Sequence, residues 1–335
     1  MEERLRGAGG EIIAHVRDGV ATVTLERPAA LNALTLGMVE ALSRWLDAWE
    51  HDDRVQMVVL RGSGGKAFCA GGDIRSLHDS VKARTPYASD FYRTEYALDY
   101  RIHAYPKTIV AVMDGIVMGG GMGISQGARV RIVGDRTRMA MPETSIGAFP
   151  DVGGSYFLSR LPGRLGAYLA LVGPTLGAAD AMYCGLADVY VGTQEAPTGE
   201  IEALRAAIDS HFAQPSVAAI VESLRGESRP EFVGWAATTG EALAKRSPTM
   251  LAVTLEQIKR GAGMTLAACF RMELEMIHAS FEEGDYLEGI RALIIDKDKN
   301  PRWRPANLAD VTPTAVSAFF APRWEPRQHP LASLR

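Results

Sequence analysis

Lys66-Ala67-Phe68-Cys69-Ala70-Gly71-Gly72-Asp73-Ile74 follows a short apolar strand expected over Gln56–Arg61. Further on, a second core strand over Thr108–Met113 leads into Met118-Gly119-Gly120-Gly121-Met122-Gly123. These two strand-to-glycine transitions decide how the chain is read. Glycine enters backbone conformations closed to other residues and lets another atom approach bare N–H groups. Two such donors aimed at one point form an oxyanion hole for a carbonyl that gains negative charge. The second cluster also opens a small-residue helix expected at Met122–Ala128, and its N-terminal dipole favours an anion. Residue chemistry leaves a second reading open, in which both clusters are turns where glycine relieves strain. Neither is a phosphate loop of the GxxxxGK[ST] type. Gly62-Ser63-Gly64-Gly65-Lys66-Ala67 meets only the looser, Ala-ended dinucleotide fingerprint, and no helix clearly opens there.

Working outward, Glu11–Val16 and Val20–Leu25 alternate apolar and polar residues around Asp18-Gly19, a hairpin signal. Thr35 is placed to cap a helix whose Val39, Leu42, Leu46 and Trp49 form one apolar stripe. A helix over Asp90–His103 stops before Pro106, and Val130–Val133 and Arg138–Met141 read as short strands. From Gly154 onward helices dominate, among them Ser155–Leu161, Leu165–Val172, Ala178–Cys184, Thr198–Phe212, Pro215–Leu224, Ser247–Arg260 and Thr265–Glu282. Asp188–Gly192 is one late strand. The fold class is therefore α/β. The expected organisation is a β/α core over residues 1–192 with a helical region over 193–335, packed as one unit. The tail, Ala321–Arg335, reads as irregular.

A third feature is Met141-Pro142-Glu143-Thr144-Ser145-Ile146-Gly147-Ala148-Phe149-Pro150-Asp151-Val152-Gly153-Gly154, with two carboxylates in an apolar stretch. Burial among such residues raises a carboxyl pKa and suits it to proton transfer. Capping of surface turns is the alternative for both acids. Gly123-Ile124-Ser125-Gln126-Gly127 matches the G-x-S-x-G nucleophile elbow of serine α/β-hydrolases, with His211 or His278 as downstream candidates. An elbow serine follows a strand directly, whereas several glycines and a helix start intervene here.

Composition excludes other classes. The 335 residues are 47% hydrophobic and carry a net charge of −4, which gives no basic nucleic-acid face and no polybasic membrane patch. No apolar run approaches the roughly 18–20 residues of a membrane helix. The N-terminus lacks the apolar core of a signal peptide, so a cytoplasmic location is expected. The three cysteines, Cys69, Cys184 and Cys269, are widely spaced, as unpaired thiols in a reducing compartment would be. The seven histidines show no metal-binding spacing, so no metal is expected.

Together, Arg27-Pro28-Ala29-Ala30-Leu31-Asn32-Ala33-Leu34, the two glycine clusters and the Met141–Gly147 segment resemble the crotonase (enoyl-CoA hydratase/isomerase) superfamily, in order and spacing, from about Glu11 to the C-terminus. The resemblance implies a ββα spiral core and an acyl-CoA substrate, with coenzyme A present as part of substrate and product rather than as a bound cofactor. It also allows a homo-oligomer. Phe149–Gly154 and the late run Asp285–Trp303 resemble the 3-hydroxyisobutyryl-CoA hydrolase branch. Hydratases of the superfamily typically carry a glutamate where Gly123 stands and a glycine where Asp151 stands, and that departure points from hydration to thioester hydrolysis, here of 3-hydroxyisobutyryl-CoA in valine breakdown. The resemblance implies that the N–H groups of Gly72 and Gly120 form the oxyanion hole, and that Glu143 is the principal catalytic carboxylate with Asp151 as its partner. It further implies that Glu95 contacts substrate, and that Ala29, Leu31, Ala70 and Asp73 line the CoA tunnel. Without the resemblance, Glu95 reads as part of a solvated helix face. Rival readings are an enoyl-CoA hydratase or isomerase, a non-catalytic CoA-binding protein, and a serine hydrolase with Ser125 as nucleophile.

Overall fold

The computed structural model describes residues 3–193 and 198–335. Its strands are β1 (Glu3–Gly7), β2 (Ile12–Arg17), β3 (Val20–Leu25), β4 (Met57–Gly62), β5 (Ala67–Cys69), β6 (Thr108–Met113), β7 (Ile116–Met118), β8 (Val130–Val133), β9 (Arg138–Ala140) and β10 (Val189–Tyr190). Seven of them form one sheet in the order β1-β2-β3-β4-β6-β8-β10, antiparallel up to β3 and parallel from there. Asp18 and Gly19 take φ of 50° and 82°, the mirror-image turn whose twist matches the β2–β3 hairpin. Ala21, Val58 and Ile109 lie in register across β3, β4 and β6, and all three are buried. Strand β1 is an edge strand of charged residues, Glu-Arg-Leu-Arg-Gly, without the alternation that signals a strand. The expected late strand contracts to the two residues of β10.

A smaller parallel sheet, β5-β7-β9, positions the chemistry. β5 runs out into Ala70–Asp73 and β7 into Gly119–Gly121. The helices associated with these strands are α1 (Leu36–Glu50), α2 (Ile74–Ala83), α3 (Tyr87–Ala104) and α4 (Gly120–Gln126). Thr35 caps α1, its hydroxyl accepting the Met38 N–H at 3.3 Å. Helix α4 starts at Gly120, two residues earlier than small-residue content suggested.

The chain forms two compact units interleaved along the sequence. The first runs to Leu77 and takes up Pro86–Ala140 and Thr175–Gly199, so it holds both sheets. The division expected at 192/193 falls inside its last segment. The second comprises His78–Thr85, Met141–Pro174 and Glu200–Arg335. It is helical, with an entirely buried helix at Leu165–Val172 and long helices at Pro248–Gly261 and Leu266–Glu283. Ser247 and Thr265 cap the latter two through their hydroxyls. A further helix, Pro230–Ala244, escapes periodicity because Thr238, Thr239 and the two glycines 234 and 240 dilute its apolar stripe. Among the described residues no helix is long and apolar enough to cross a membrane, and no His, Cys, Asp and Glu side chains cluster as metal ligands.

Candidate active site

In the first unit, the Arg27–Leu34 segment braces the first glycine cluster. Leu31 and Asn32 both adopt left-handed φ, 52° and 57°. Such residues are held there by local hydrogen bonds, and buried Asn32 makes three: its Oδ1 accepts the Arg27 N–H, and its Nδ2 donates to the carbonyls of Ser63 (3.0 Å) and Ala67 (2.8 Å). Arg27 donates to Asp73 Oδ2 at 2.9 Å and to the Ala33 carbonyl at 2.6 Å. The Ala70 N–H donates to Leu31 O. Ala29 is exposed, while Leu31, Ala70 and Asp73 are half-buried.

This brace fixes the direction of the Gly72 N–H. The Leu34 N–H donates to Gly71 O and the Asp73 N–H donates to Leu34 O, each at 2.8 Å. Alternation along the extended chain therefore turns the Gly72 N–H away from Leu34. Gly119 sits at φ 48°, ψ −120°, a conformation that requires glycine, and it starts α4 so that the Gly120 N–H has no partner within the helix. A Cβ on Gly120 would lie 3.4 Å from the Gly72 nitrogen, and one on Gly71 would lie 3.5 Å from the Gly120 nitrogen. The two donors therefore share one corner. The Gly120 Cβ would also overlap Glu95 Oε1, so the Glu95 carboxylate faces the same corner from α3. Glu95 is 2% exposed, which replaces the solvated-helix-face reading. Burial, with the Glu95 and Asp99 charges adding to it, pushes the Cys69 thiol up to about 12. Cys69 is therefore not a thiolate nucleophile.

In the second unit, Glu143 opens a short 3₁₀ turn, Glu143–Ile146, closed by Gly147 at φ 70°. The Thr144 hydroxyl ties this turn to Leu171 O at 3.1 Å. Glu143 and Asp151 are each only 8% exposed, so neither is a surface cap. Burial first, and then the charge of Asp151, holds the Glu143 carboxyl well above the usual carboxylate range. Glu143 Oε2 is buried and has no hydrogen-bond partner among the described residues.

Asp151 leads a strained turn. Val152 sits at φ 51° and Gly153 at φ 86°. A β-branched residue in the left-handed region costs about 1–3 kcal/mol. Glu273, fully buried on the Leu266–Glu283 helix, restrains this turn. Its Oε2 accepts the Gly153 N–H and its Oε1 the Ser155 N–H, both at 2.8 Å. Gln257 donates to Pro150 O at 2.5 Å and to Ser155 Oγ at 2.8 Å. Nothing in the residue types of Arg271-Met272-Glu273-Leu274-Glu275 singles out Glu273, which lies among other charged residues. The signal lay in its spacing, three after Phe270 and four before Ile277, on the buried stripe.

The late run Asp285–Trp303 also finds a place in this unit. A Cβ on Gly147 would overlap the Asp285 carbonyl, and one on Gly289 would overlap the Ile146 backbone. The Tyr286–Ile290 helix thus packs directly on the turn that carries Glu143. Asp285 is anchored in turn by the Ser247 hydroxyl at 2.6 Å and the Arg304 N–H at 3.0 Å.

The serine-elbow rival does not fit. Ser125 lies within α4, fully buried, and its hydroxyl donates back to Gly121 O (2.7 Å) and Met122 O (3.2 Å). His211 is occupied by Ser223 and Glu227.

Paired backbone donors, in the first unit, suit an enzyme that stabilises charge on an acyl oxygen, and a desolvated carboxylate pair, in the second, suits one that moves protons. Comparison with known proteins makes this specific. The family described as enoyl-CoA hydratase/isomerase matches residues 20–203 and 192–320. The 3-hydroxyisobutyryl-CoA hydrolases named as mitochondrial in Xenopus tropicalis and Mus musculus are 39% and 38% identical, covering 93% and 92% of this chain and 89% and 88% of their own. A crystal structure described as a carnitinyl-CoA dehydratase from Mycobacterium thermoresistibile superposes with a TM-score of 0.88 at 41% identity, over 93% of this chain and 96% of that one. The chain belongs to the enoyl-CoA hydratase/isomerase, or crotonase, family, and its fold is the crotonase α/β fold. The cytoplasmic location expected from the N-terminal sequence is corrected by these relatives, which are named as mitochondrial proteins.

Proposed function

We propose that this enzyme hydrolyses a CoA thioester, 3-hydroxyisobutyryl-CoA, to 3-hydroxyisobutyrate and free CoA. The observation that carries the reading is the buried Glu143 carboxyl, raised by desolvation and by Asp151. The relatives' names and the glycine at position 123 support it. A hydratase that splits one water between two glutamates lacks half its pair with glycine there.

In this reading the N–H groups of Gly72 and Gly120 receive the thioester oxygen as it gains charge. Removing one such donor from an oxyanion hole typically costs about 2.7–4 kcal/mol of barrier. Glu143 in its ionised form takes a proton from water as the hydroxide adds to the carbonyl carbon, or adds to that carbon itself to give a mixed anhydride that water then opens. The C–S bond breaks, CoA leaves as thiolate, and the proton gathered by the carboxylates returns to it. Asp151 orients the water or the acyl hydroxyl. Glu95 contacts the acyl end, and Ala29, Leu31, Ala70 and Asp73 flank the CoA. The family resemblance allows a homo-oligomer, which light scattering tests.

The dehydratase description of the Mycobacterium thermoresistibile structure favours a second reading, addition or removal of water at an enoyl-CoA. One experiment separates them: thiol release from 3-hydroxyisobutyryl-CoA measured beside hydration of crotonyl-CoA. Thiol release that is lost in Glu143→Ala and Asp151→Ala supports hydrolysis, and rapid hydration with negligible thiol release rejects it. Hydrolysis in ¹⁸O-water, followed by mass measurement of the Glu143 peptide, distinguishes the anhydride from the direct route.

A further inference from the structure

The turn from Asp151 to Ser155 holds a conformation its sequence does not favour, because Val152 occupies the left-handed region at φ 51°. A strained turn persists only where its surroundings over-determine it. Here a side chain remote in sequence supplies much of that restraint. Glu273 is fully buried and takes the Gly153 and Ser155 N–H groups on separate oxygens, both at 2.8 Å, one on each side of Gly154. Ordinary N-caps lie just before their helix and take one or two of its free N–H groups. Glu273 comes instead from the Leu266–Glu283 helix, and the helix it caps, Gly154–Phe157, is a single turn with little stability to gain. A neutral amide would satisfy one N–H and oppose the other. A carboxyl group kept in the core at such cost is placed for what it holds, and what it holds leads straight back to Asp151.

We infer that Glu273 is the positioning residue for Asp151: its two-point grip on the Gly153 and Ser155 N–H groups fixes the angle at which the Asp151 carboxyl is presented, and so governs the chemical step without touching substrate. The rate half of this inference rests on the hydrolase reading, and the positional half does not. Gln257 acts on the same turn from its other side, through Pro150 O and Ser155 Oγ. Asp151 also lies close enough for its charge to add to the burial that raises the Glu273 carboxyl, to about 8 in all.

The test compares the full-length wild type with Glu273→Gln, which keeps side-chain size and one acceptor. Amide exchange at Gly153 and Ser155, thermal melting, and kcat and KM for 3-hydroxyisobutyryl-CoA are measured on both. Exchange at the two amides is expected to accelerate by about tenfold or more. The expected kinetic signature is a fall in kcat of about thirtyfold or more with KM within about threefold, the mark of a contact felt only in the transition state. Unchanged exchange, a kcat within about threefold of wild type, or a loss confined to KM overturns the inference. Should Glu273→Gln fail to fold, Glu273→Asp, which keeps the carboxyl but shortens its reach, is measured in the same way, and unchanged amide exchange or an unchanged kcat in that variant overturns it equally. If the wild type releases no thiol, the hydrolase reading fails on its own. The same kcat comparison then moves to crotonyl-CoA hydration, while amide exchange still judges the grip on the turn.

Discussion

Gly289 lies so close against Ile146 that a Cβ on the glycine would overlap the Ile146 carbonyl carbon and oxygen. The contact joins two stretches far apart in sequence, the Glu143–Ile146 turn and the Tyr286–Ile290 helix, within one unit. It gives a physical reason for a glycine in Asp285-Tyr286-Leu287-Glu288-Gly289: only there can the helix reach the turn backbone. Both colliding atoms are backbone, so the turn itself must move in Gly289→Ala. Overpacking of this kind costs about 1–3 kcal/mol, and a displacement near 1 Å in a catalytic group costs up to about a hundredfold in rate. Gly289→Ala is expected to fold, melt a few degrees lower and lose thiol-release activity by at least tenfold. Wild-type turnover in Gly289→Ala would show that this helix does not position Glu143.

A parallel case arises at Gly120. A Cβ there collides with Glu95 Oε1, the end of a side chain, and lies 3.4 Å from the Gly72 nitrogen. A side chain moves more easily than backbone, so Gly120→Ala should keep its fold while pushing the Glu95 carboxylate out of the corner and narrowing access to both donors. Turnover is expected to fall by about a hundredfold or more, the scale of losing one oxyanion donor. Binding of free CoA, measured by calorimetry, is expected to stay within about threefold of wild type, since CoA has no thioester oxygen to place. A large loss of CoA affinity would place Gly120 in CoA recognition instead.

What the sequence made legible follows from how locally each feature is determined. The β2–β3 turn, the Thr35 cap and the Leu165–Val172 helix rest on neighbours in the chain, and they lie where residue patterns place them. The two glycine clusters and the Glu143–Asp151 segment were legible as motifs, but neutral turns and surface caps explained them equally well. Burial decides between such readings, and burial depends on packing from distant segments. Glu273 shows the limit most clearly. Its flanking charges hide it, and its partners at Gly153 and Ser155 lie more than a hundred residues away. The strain at Val152 was illegible for a related reason. Valine argues against a left-handed residue, and only the restraint from Glu273 and Gln257 explains why it is found there.

Both proposed hydrolytic routes need Glu143 in its ionised form, and burial and Asp151 hold its pKa above the ordinary range. The acidic limb of kcat/KM should therefore lie above the ordinary glutamate pKa of about 4.3, with activity rising as pH rises through it. Replacing Asp151 with Asn removes the neighbouring charge and leaves the burial. The Glu143 carboxyl in Asp151→Asn is expected to titrate lower than in wild type, yet still above an exposed glutamate. Carbon-13 NMR of labelled glutamate reads this directly and needs no turnover. An unchanged Glu143 titration in Asp151→Asn would mean that the two carboxyls do not sense each other.

The buried acids also set how stability varies with pH. Glu273 is raised from 4.5 to about 8, chiefly by burial. Between those values Glu273 of the folded chain holds a proton that the unfolded chain has released, which weakens one of its two N–H contacts while it is held, and rising pH favours the unfolded state. Stability from this group is fully present below about pH 4.5 and drains away as pH climbs toward 8, by up to about 5 kcal/mol if the whole shift is expressed. Glu143 is raised for the same reason and pulls the same way. Salt-bridged acids pull oppositely: the side-chain bond from Arg291 holds Glu288 below its usual value, so its contribution is lost on acidification instead. Urea midpoints measured from pH 5 to 8 should therefore decline toward the alkaline end. Glu273→Gln cannot ionise and should flatten that decline, even if its stability at pH 5 is lower than wild type. A wild-type midpoint that rises steadily from pH 5 to 8 would show that Glu273 is already ionised at pH 5 and that its two N–H partners outweigh its burial.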